Sequence, residues 1–233
     1  MKSPGPRQLR ALASEVVAQS QRLLIVLAGI NGAGKSSLYD EYIDSPGGLI
    51  PASRDKLPFV NADLIARRLP ATGDARADAL HAASVAEQER QRLLASGASF
   101  CMETVFSDRS GSKLGFMAAA RNRGYTVILL FVGLAAPDLA ILRVAQRVRT
   151  GGHHVPPETV RERYPRTLIN LARALPSVDL ALIYDNSDAD VPYRVLAAWR
   201  SGHQVLRTGD LPQWYRDVLV MKQSNEPPPA RTP

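Results

Sequence analysis

Cysteine is nearly absent from this chain. Of its 233 residues one is a cysteine, Cys101. No internal disulfide can form, and the composition suits a reducing cytosol. Long apolar runs are missing too. The longest, Val127 to Ala136, is too short to span a bilayer, so no helical membrane anchor is expected. The short run Leu23 to Leu27 could mimic a signal-peptide core, but it leads straight into a glycine-rich loop. No internal repeat is visible. What remains is an ordinary globular composition, 45% hydrophobic, with enough chain for one well-buried core. The expected organisation is a single domain over residues 1–221 and a disordered polar tail over 222–233, Pro-rich from Ser224 to Pro233. The expected location is cytoplasmic.

The loop after Leu27 carries the strongest signal. Gly29-Ile30-Asn31-Gly32-Ala33-Gly34-Lys35-Ser36 fits the phosphate-binding pattern G-x-x-x-x-G-K-[ST]. Its glycines let the backbone fold tightly, with N–H groups turned toward phosphate oxygens. In that pattern Lys35 reaches the β- and γ-phosphates and the Ser36 hydroxyl ligates Mg²⁺. The helix that follows adds the positive end of its dipole. Gly29, Asn31, Gly32, Ala33, Gly34, Lys35, Ser36 and Ser37 are therefore the candidate ATP-binding residues. The context supports this: an apolar strand-like run, Arg22 to Ala28, precedes the loop, and Ser37 to Ile43 follows at helical spacing. No Leu-Ser-Gly-Gly-Gln signature and no Asn-Lys-x-Asp motif occurs, which argues against an ABC-type ATPase and a GTPase.

Strand-like runs at Leu23–Ala28, Pro58–Asn61, Ser99–Glu103, Thr126–Gly133 and Ala181–Tyr184 alternate with helical stretches. The latter include Ser36–Ile43, Asp63–Arg68, Ala75–Ser96 and Lys113–Arg123. This order predicts an α/β fold of three layers around a mostly parallel sheet. Near the C-terminus, Tyr193–Trp199 and His203–Leu206 flank a Ser-Gly turn, which predicts a small hairpin at the sheet edge. Ligands on such sheets sit at the carboxyl ends of the strands. The second strand ends in Asn61-Ala62-Asp63. Asp63 there can take a proton from an attacking hydroxyl or hold Mg²⁺ through water, and capping the next helix is the competing role. The third ends in Glu103-Thr104, with Ser107 and Asp108 beyond. Glu103 follows a buried run, so it needs a partner or a function: substrate hydroxyls, a water-mediated Mg²⁺ contact or a structural ion pair. Thr104 and Ser107 are candidate hydroxyl contacts. The fourth ends in Val132-Gly133-Leu134 without the acid that often supports the metal there.

The net charge of +7 suggests nucleic acid at first sight, but its distribution argues for phosphate groups of smaller substrates. Seven arginines against two glutamates lie between Arg143 and Arg173. The segment reads as helix, Gly151-Gly152 hinge, helix: an arginine-rich lid over about 143–173 that closes on ATP. Arg143 and Arg147 share one helix face, and Arg163 and Arg166 another. The adjacent His153 and His154 lack a third ligand at any familiar metal spacing.

Together these motifs resemble the zeta-toxin-like kinases. The likeness rests on the loop Ala28–Ser36, Asn61-Ala62-Asp63, Met102–Asp108, Arg147–His153, Arg163-Tyr164-Pro165-Arg166 and Tyr184–Ser187. It covers about residues 22 to 190 and is strongest to the short bacterial branch. The resemblance implies a P-loop kinase fold, ATP and Mg²⁺ as donor, and UDP-N-acetylglucosamine, phosphorylated on the sugar 3′-hydroxyl, as acceptor. It implies Asp63 as catalytic base, Lys35 as the P-loop lysine, Glu103 as the acid that binds the sugar, and Arg147 with Arg163 or Arg166 as lid arginines; Asn61, at the end of the second strand, is a further candidate on the substrate side. It also implies a separate antitoxin chain as partner. Thr104 follows Glu103 directly, whereas the well-known toxins space an acid and a threonine by one residue, so the acceptor pocket is expected to differ. A kinase for a polynucleotide end or small metabolite, and an ATP-hydrolysing switch, are the alternatives.

Overall fold

Along Leu23–Ala28 every side chain is buried, as in a strand covered on both faces. In the computed structural model, which describes residues 6–43, 45, 48, 56–149 and 154–225, this run is the centre of a seven-stranded sheet. The elements run α1 (Pro6–Gln19), β1 (Arg22–Ala28), α2 (Lys35–Leu38, continued by a π-helical turn, Tyr39–Ile43), β2 (Phe59–Val60), α3 (Ala62–Ala66), α4 (Ala75–Ser96), β3 (Phe100–Thr104), α5 (Ser112–Asn122), β4 (Tyr125–Gly133), α6 (Pro137–Arg149), α7 (Pro157–Ala174), β5 (Leu180–Asp185), β6 (Arg194–Arg200), β7 (His203–Arg207) and α8 (Gln213–Asn225). The spatial order is β2-β3-β1-β4-β5-β6-β7. The first five strands are parallel, and β6 and β7 add an antiparallel edge. The expected α/β architecture and the C-terminal hairpin are both present.

Alternation along the strands splits the core in two. Leu23, Ile25 and Leu27 pack with Leu9, Ala13 and Val17 of α1, Leu38 of α2, and Ala140 and Val144 of α6. Leu24, Val26 and Ala28 face the other side, with Ala86 and Leu93 of α4, Phe116 of α5, Leu168 and Leu171 of α7, and Trp214 of α8. Each fully buried Leu, Ile or Phe contributes about 1.5–3 kcal/mol. These two layers hold the strand ends, and hence the site, in a rigid frame.

Several boundaries differ from expectation. The helix after β2 stops at Ala66, and its N-cap is Asn61 rather than Asp63. Asn61 Oδ1 accepts from the N–H groups of Asp63 at 2.8 Å and Leu64 at 3.2 Å, so Asp63 is left in the first turn with its carboxylate uncommitted to capping. Helix α8 continues to Asn225, beyond the expected start of the tail at 222. The hinge Gly151-Gly152, His153 and residues 226–233 lie outside the described residues.

Candidate active site

The glycine loop leaves β1 and enters α2. Gly29, Gly32 and Gly34 have φ of 147°, 77° and 95°, conformations that glycine adopts without strain. Space demands glycine as well. A Cβ on Gly32 would lie 2.8 Å from the Ala140 carbonyl oxygen, and one on Gly34 would lie 2.6 Å from Asn186 Nδ2. The loop is fastened from the far end of the chain. Asn186 Nδ2 donates to the Ala33 carbonyl at 2.8 Å, and Tyr193 Oη donates to the Gly34 carbonyl at 2.9 Å. With those carbonyls held, the loop keeps the cradle that a phosphate group fits.

Glu103, at the end of β3, is the hub of the site. Lys35 Nζ stands 3.4 Å from its Oε1 and donates to the Ile30 carbonyl at 3.1 Å. Ser36 Oγ donates to Glu103 Oε2 at 3.0 Å, and Asn61 Nδ2 donates to the same oxygen at 2.7 Å. Strand β3 is the neighbour of β1, in register with Leu27 opposite Glu103. The acid sought in vain at the end of β4, on one side of β1, thus has a counterpart on the other side. Ser36 Oγ and Glu103 Oε2 are hard oxygen donors side by side, a set that fits Mg²⁺ retaining most of its waters.

Asp63 and Arg147 close the front. Arg147 Nη1 lies 3.8 Å from Asp63 Oδ2, joining α6 to α3 across the mouth of the site, and both side chains are partly open to solvent. They line one cavity of about 200 Å³ together with Asn31, Lys35, Asn61, Glu103 and Thr104. Asn31, Lys35, Asn61, Asp63, Glu103, Thr104 and Arg147, each singled out from sequence, therefore line one cavity. Thr104 turns its hydroxyl to the backbone, accepting from the Phe106 N–H at 3.0 Å.

Helix α7 bonds to the P-loop and to the 104–108 loop from outside this cavity. Arg163 Nη1 donates to Asn31 Oδ1 at 3.1 Å, which brings the guanidinium to the P-loop. Burial, and the nearby charge of Arg166, lower its pKa from the usual arginine value. Arg166 has another job: its Nε donates to the Ser107 carbonyl at 3.0 Å. Thr167 Oγ1 donates to the Val105 carbonyl, and Asn170 Nδ2 donates to those of Phe106 and Asp108. These bonds hold the 104–108 loop in a tight turn, with Phe106 at φ 62°. Arg163, Arg166 and Ser107 are absent from the cavity lining, Arg163 lining instead a separate cavity with Arg76, His154 and Thr159, and Ser37 is exposed.

Sequence reasoning passed over Asn186, Tyr193, Thr167 and Asn170 as supports, and Glu87, Arg90 and Lys113 beside the cavity. Thr167, Asn170, Glu87, Arg90 and Lys113 sit in helices outside the motifs; Asn186 lies within Tyr184–Ser187, where nothing local showed that its amide would reach the P-loop. A buried polar residue in an otherwise apolar face, as at Asn170, was the one signal available.

The family model for Zeta toxin matches residues 9–195. No curated protein matches. Among solved structures, a complex of AvrRxo1-ORF1 and -ORF2 with ATP is similar at 15% identity and a TM-score of 0.64, covering 95% of this chain and 72% of that one. A structure from the PezAT chromosomal toxin-antitoxin system of Streptococcus pneumoniae is similar at 14% identity and a TM-score of 0.54, covering 96% of this chain and 97% of that one. At these identities the likeness speaks to fold.

Proposed function

The chain belongs to the zeta toxin family, and on that premise we propose that it is an ATP-dependent kinase that moves the γ-phosphate onto a hydroxyl of a nucleotide sugar such as UDP-N-acetylglucosamine. The observation that carries this reading is the convergence of Lys35, Ser36 and Asn61 on Glu103, in a cavity that also holds Asp63 and Arg147. A phosphate cradle with an uncapped carboxylate at its mouth suits in-line transfer to a hydroxyl, where positioning and electrostatics supply most of the rate.

Lys35 and the loop N–H groups hold the donor phosphates. Mg²⁺, when bound at Ser36 with Glu103 beside it, neutralises charge on those phosphates. Asp63 accepts the proton of the acceptor hydroxyl, oriented by the α3 turn that Asn61 caps. Arg147 and Arg163 come from the two helices over the site and offset the charge on the transferring group. Arg166 fixes the 104–108 loop and acts as a positioning residue. The ATP complex of the AvrRxo1-ORF1 relative supports ATP as donor. The PezAT relative supports a separate antitoxin chain as partner. Such a kinase works in the cytoplasm, where ATP and nucleotide sugars meet.

The test is transfer from γ-labelled ATP with Mg²⁺, with UDP-N-acetylglucosamine or without acceptor, for the parent chain and Asp63→Ala. A labelled nucleotide sugar made by the parent alone is expected. Free phosphate at the same rate with and without acceptor overturns the nucleotide-sugar reading and favours an ATP-hydrolysing switch.

A further inference from the structure

The cavity holds further cations. Besides the residues already described, its lining includes Arg90 of α4 and Lys113 of α5. Arg90 is 6% exposed, very low for an arginine. Both cations are drawn to one atom, Glu87 Oε2. Lys113 Nζ donates to it at 2.7 Å, and Arg90 donates from Nη2 at 2.7 Å and Nε at 3.2 Å.

The charges do not balance. Lys35 is paired with Glu103 and Arg147 with Asp63, one cation to one carboxylate. Arg90 and Lys113 line the cavity and share Glu87, which does not line it, while the nearby Asp108 carboxylate accepts from the Lys113 backbone N–H and Ser112 Oγ rather than from either cationic group. A buried guanidinium is costly, and one carboxylate shared between two cations leaves donors unused. Among the described residues, nothing accepts from Arg90 Nη1. The planar fork of an arginine beside a mobile ammonium is suited to phosphate oxygens.

We propose that Arg90 and Lys113 grip a phosphate or diphosphate group of the acceptor, which fixes it with its reactive hydroxyl toward Asp63 and makes a phosphorylated acceptor the preferred substrate. This rests on the reading of the cavity as the acceptor site of a kinase. It adds that selection comes from α4 and α5, outside every motif in the sequence. Glu87 Oε2 holds both cations from beside the cavity and competes with the incoming anion.

The test uses inorganic pyrophosphate as probe on the full chain, with the P-loop filled by a non-hydrolysable ATP analogue and Mg²⁺, read by calorimetry. Filling the loop separates this anion site from the donor site. Lys113, on the first turn of α5 and only partly buried, can be replaced with little risk to folding. Pyrophosphate is expected to bind the parent, to bind Lys113→Ala about 10-fold more weakly, and to recover in Lys113→Arg. Glu87→Gln is expected to bind more tightly, which a purely structural ion pair would not produce. No binding to the filled parent, or equal affinity in the parent, Lys113→Ala and Glu87→Gln, overturns the proposal. A kinetic arm separates the two readings. If transfer to UDP-N-acetylglucosamine occurs and Lys113→Ala leaves its KM unchanged, the kinase stands and the clamp falls. If pyrophosphate binds as expected and no transfer occurs, the clamp stands and the nucleotide-sugar reading falls.

Discussion

Asn61 is bonded at both ends of one amide: Nδ2 donates to Glu103 Oε2 at 2.7 Å, while Oδ1 caps α3 through the Asp63 and Leu64 N–H groups. The residue that orients the candidate base therefore also orients the acid beside Ser36. Movement of β2 against β3 would disturb both, and the parallel pairing of Val60 with Met102 fixes that register.

Glu103→Gln keeps the shape and removes the charge that faces Lys35 and Ser36. Transfer is expected to fall by about 100-fold or more. The Mg²⁺ dependence of ATP binding, measured by calorimetry with and without the metal, is expected to flatten. A raised acceptor KM with unchanged metal dependence would instead place Glu103 on the acceptor, as the family resemblance first implied.

Asp63→Asn removes the proton acceptor and keeps its volume. A fall of about 10²–10⁴-fold in kcat is expected, with ATP binding largely intact. Rapid-quench turnover beside equilibrium ATP titration checks both halves. Full turnover would remove Asp63 as base.

Gly34→Ala meets strain and collision together. Its φ is 95°, and the new methyl would lie 2.6 Å from Asn186 Nδ2 and 2.8 Å from Tyr193 Oη. A loss of about 1–3 kcal/mol is expected. At this chain length that lowers Tm by roughly 2–4 °C per kcal/mol. Thermal unfolding with and without ATP reads it, and the stabilisation that ATP gives the parent should shrink.

The Glu87 carboxyl has its pKa lowered to about 2; burial opposes the shift, and bonds from Lys113, Arg90 and Gln91 outweigh it. A depressed carboxylate stabilises the fold above its unfolded value, near 4.5, and loses that contribution as pH falls toward 2. With the side chain 40% exposed, solvent screening reduces the contribution to about 1–2 kcal/mol. Urea midpoints of the parent and Glu87→Gln are expected to differ at pH 6 and to converge on acidification. A gap as wide at pH 2.5 as at pH 6 would contradict the assignment.

The frame of the site was legible because its signals are local. Apolar runs gave the strands that end at Asn61 and Glu103, and the glycine spacing of Gly29 to Gly34 fixed the loop between β1 and α2. The hairpin followed from Ser201-Gly202. What could not be read was pairing over long separations. Nothing near Asn186 announces a bond to Ala33, and nothing in α4 announces that Arg90 meets Lys113. Asp63 posed a different difficulty: as cap or base it looked alike in sequence, and Asn61, two residues earlier, took the cap. Arg166 carried the right chemistry for phosphate, but the loop carbonyl of Ser107 claimed its Nε.

The P-loop motif ends at Ser36, but its two fasteners, Asn186 and Tyr193, lie about 150 positions later. During synthesis the nucleotide cradle is therefore written early and tightened late. A nascent or truncated chain that stops short of Asn186 carries every residue of the motif and lacks the bonds that hold its carbonyls. The order in which the chain is written is thus not the order in which the cradle is fixed: the Ala33 and Gly34 carbonyls gain these two bonds only once the segment carrying Asn186 and Tyr193 is present.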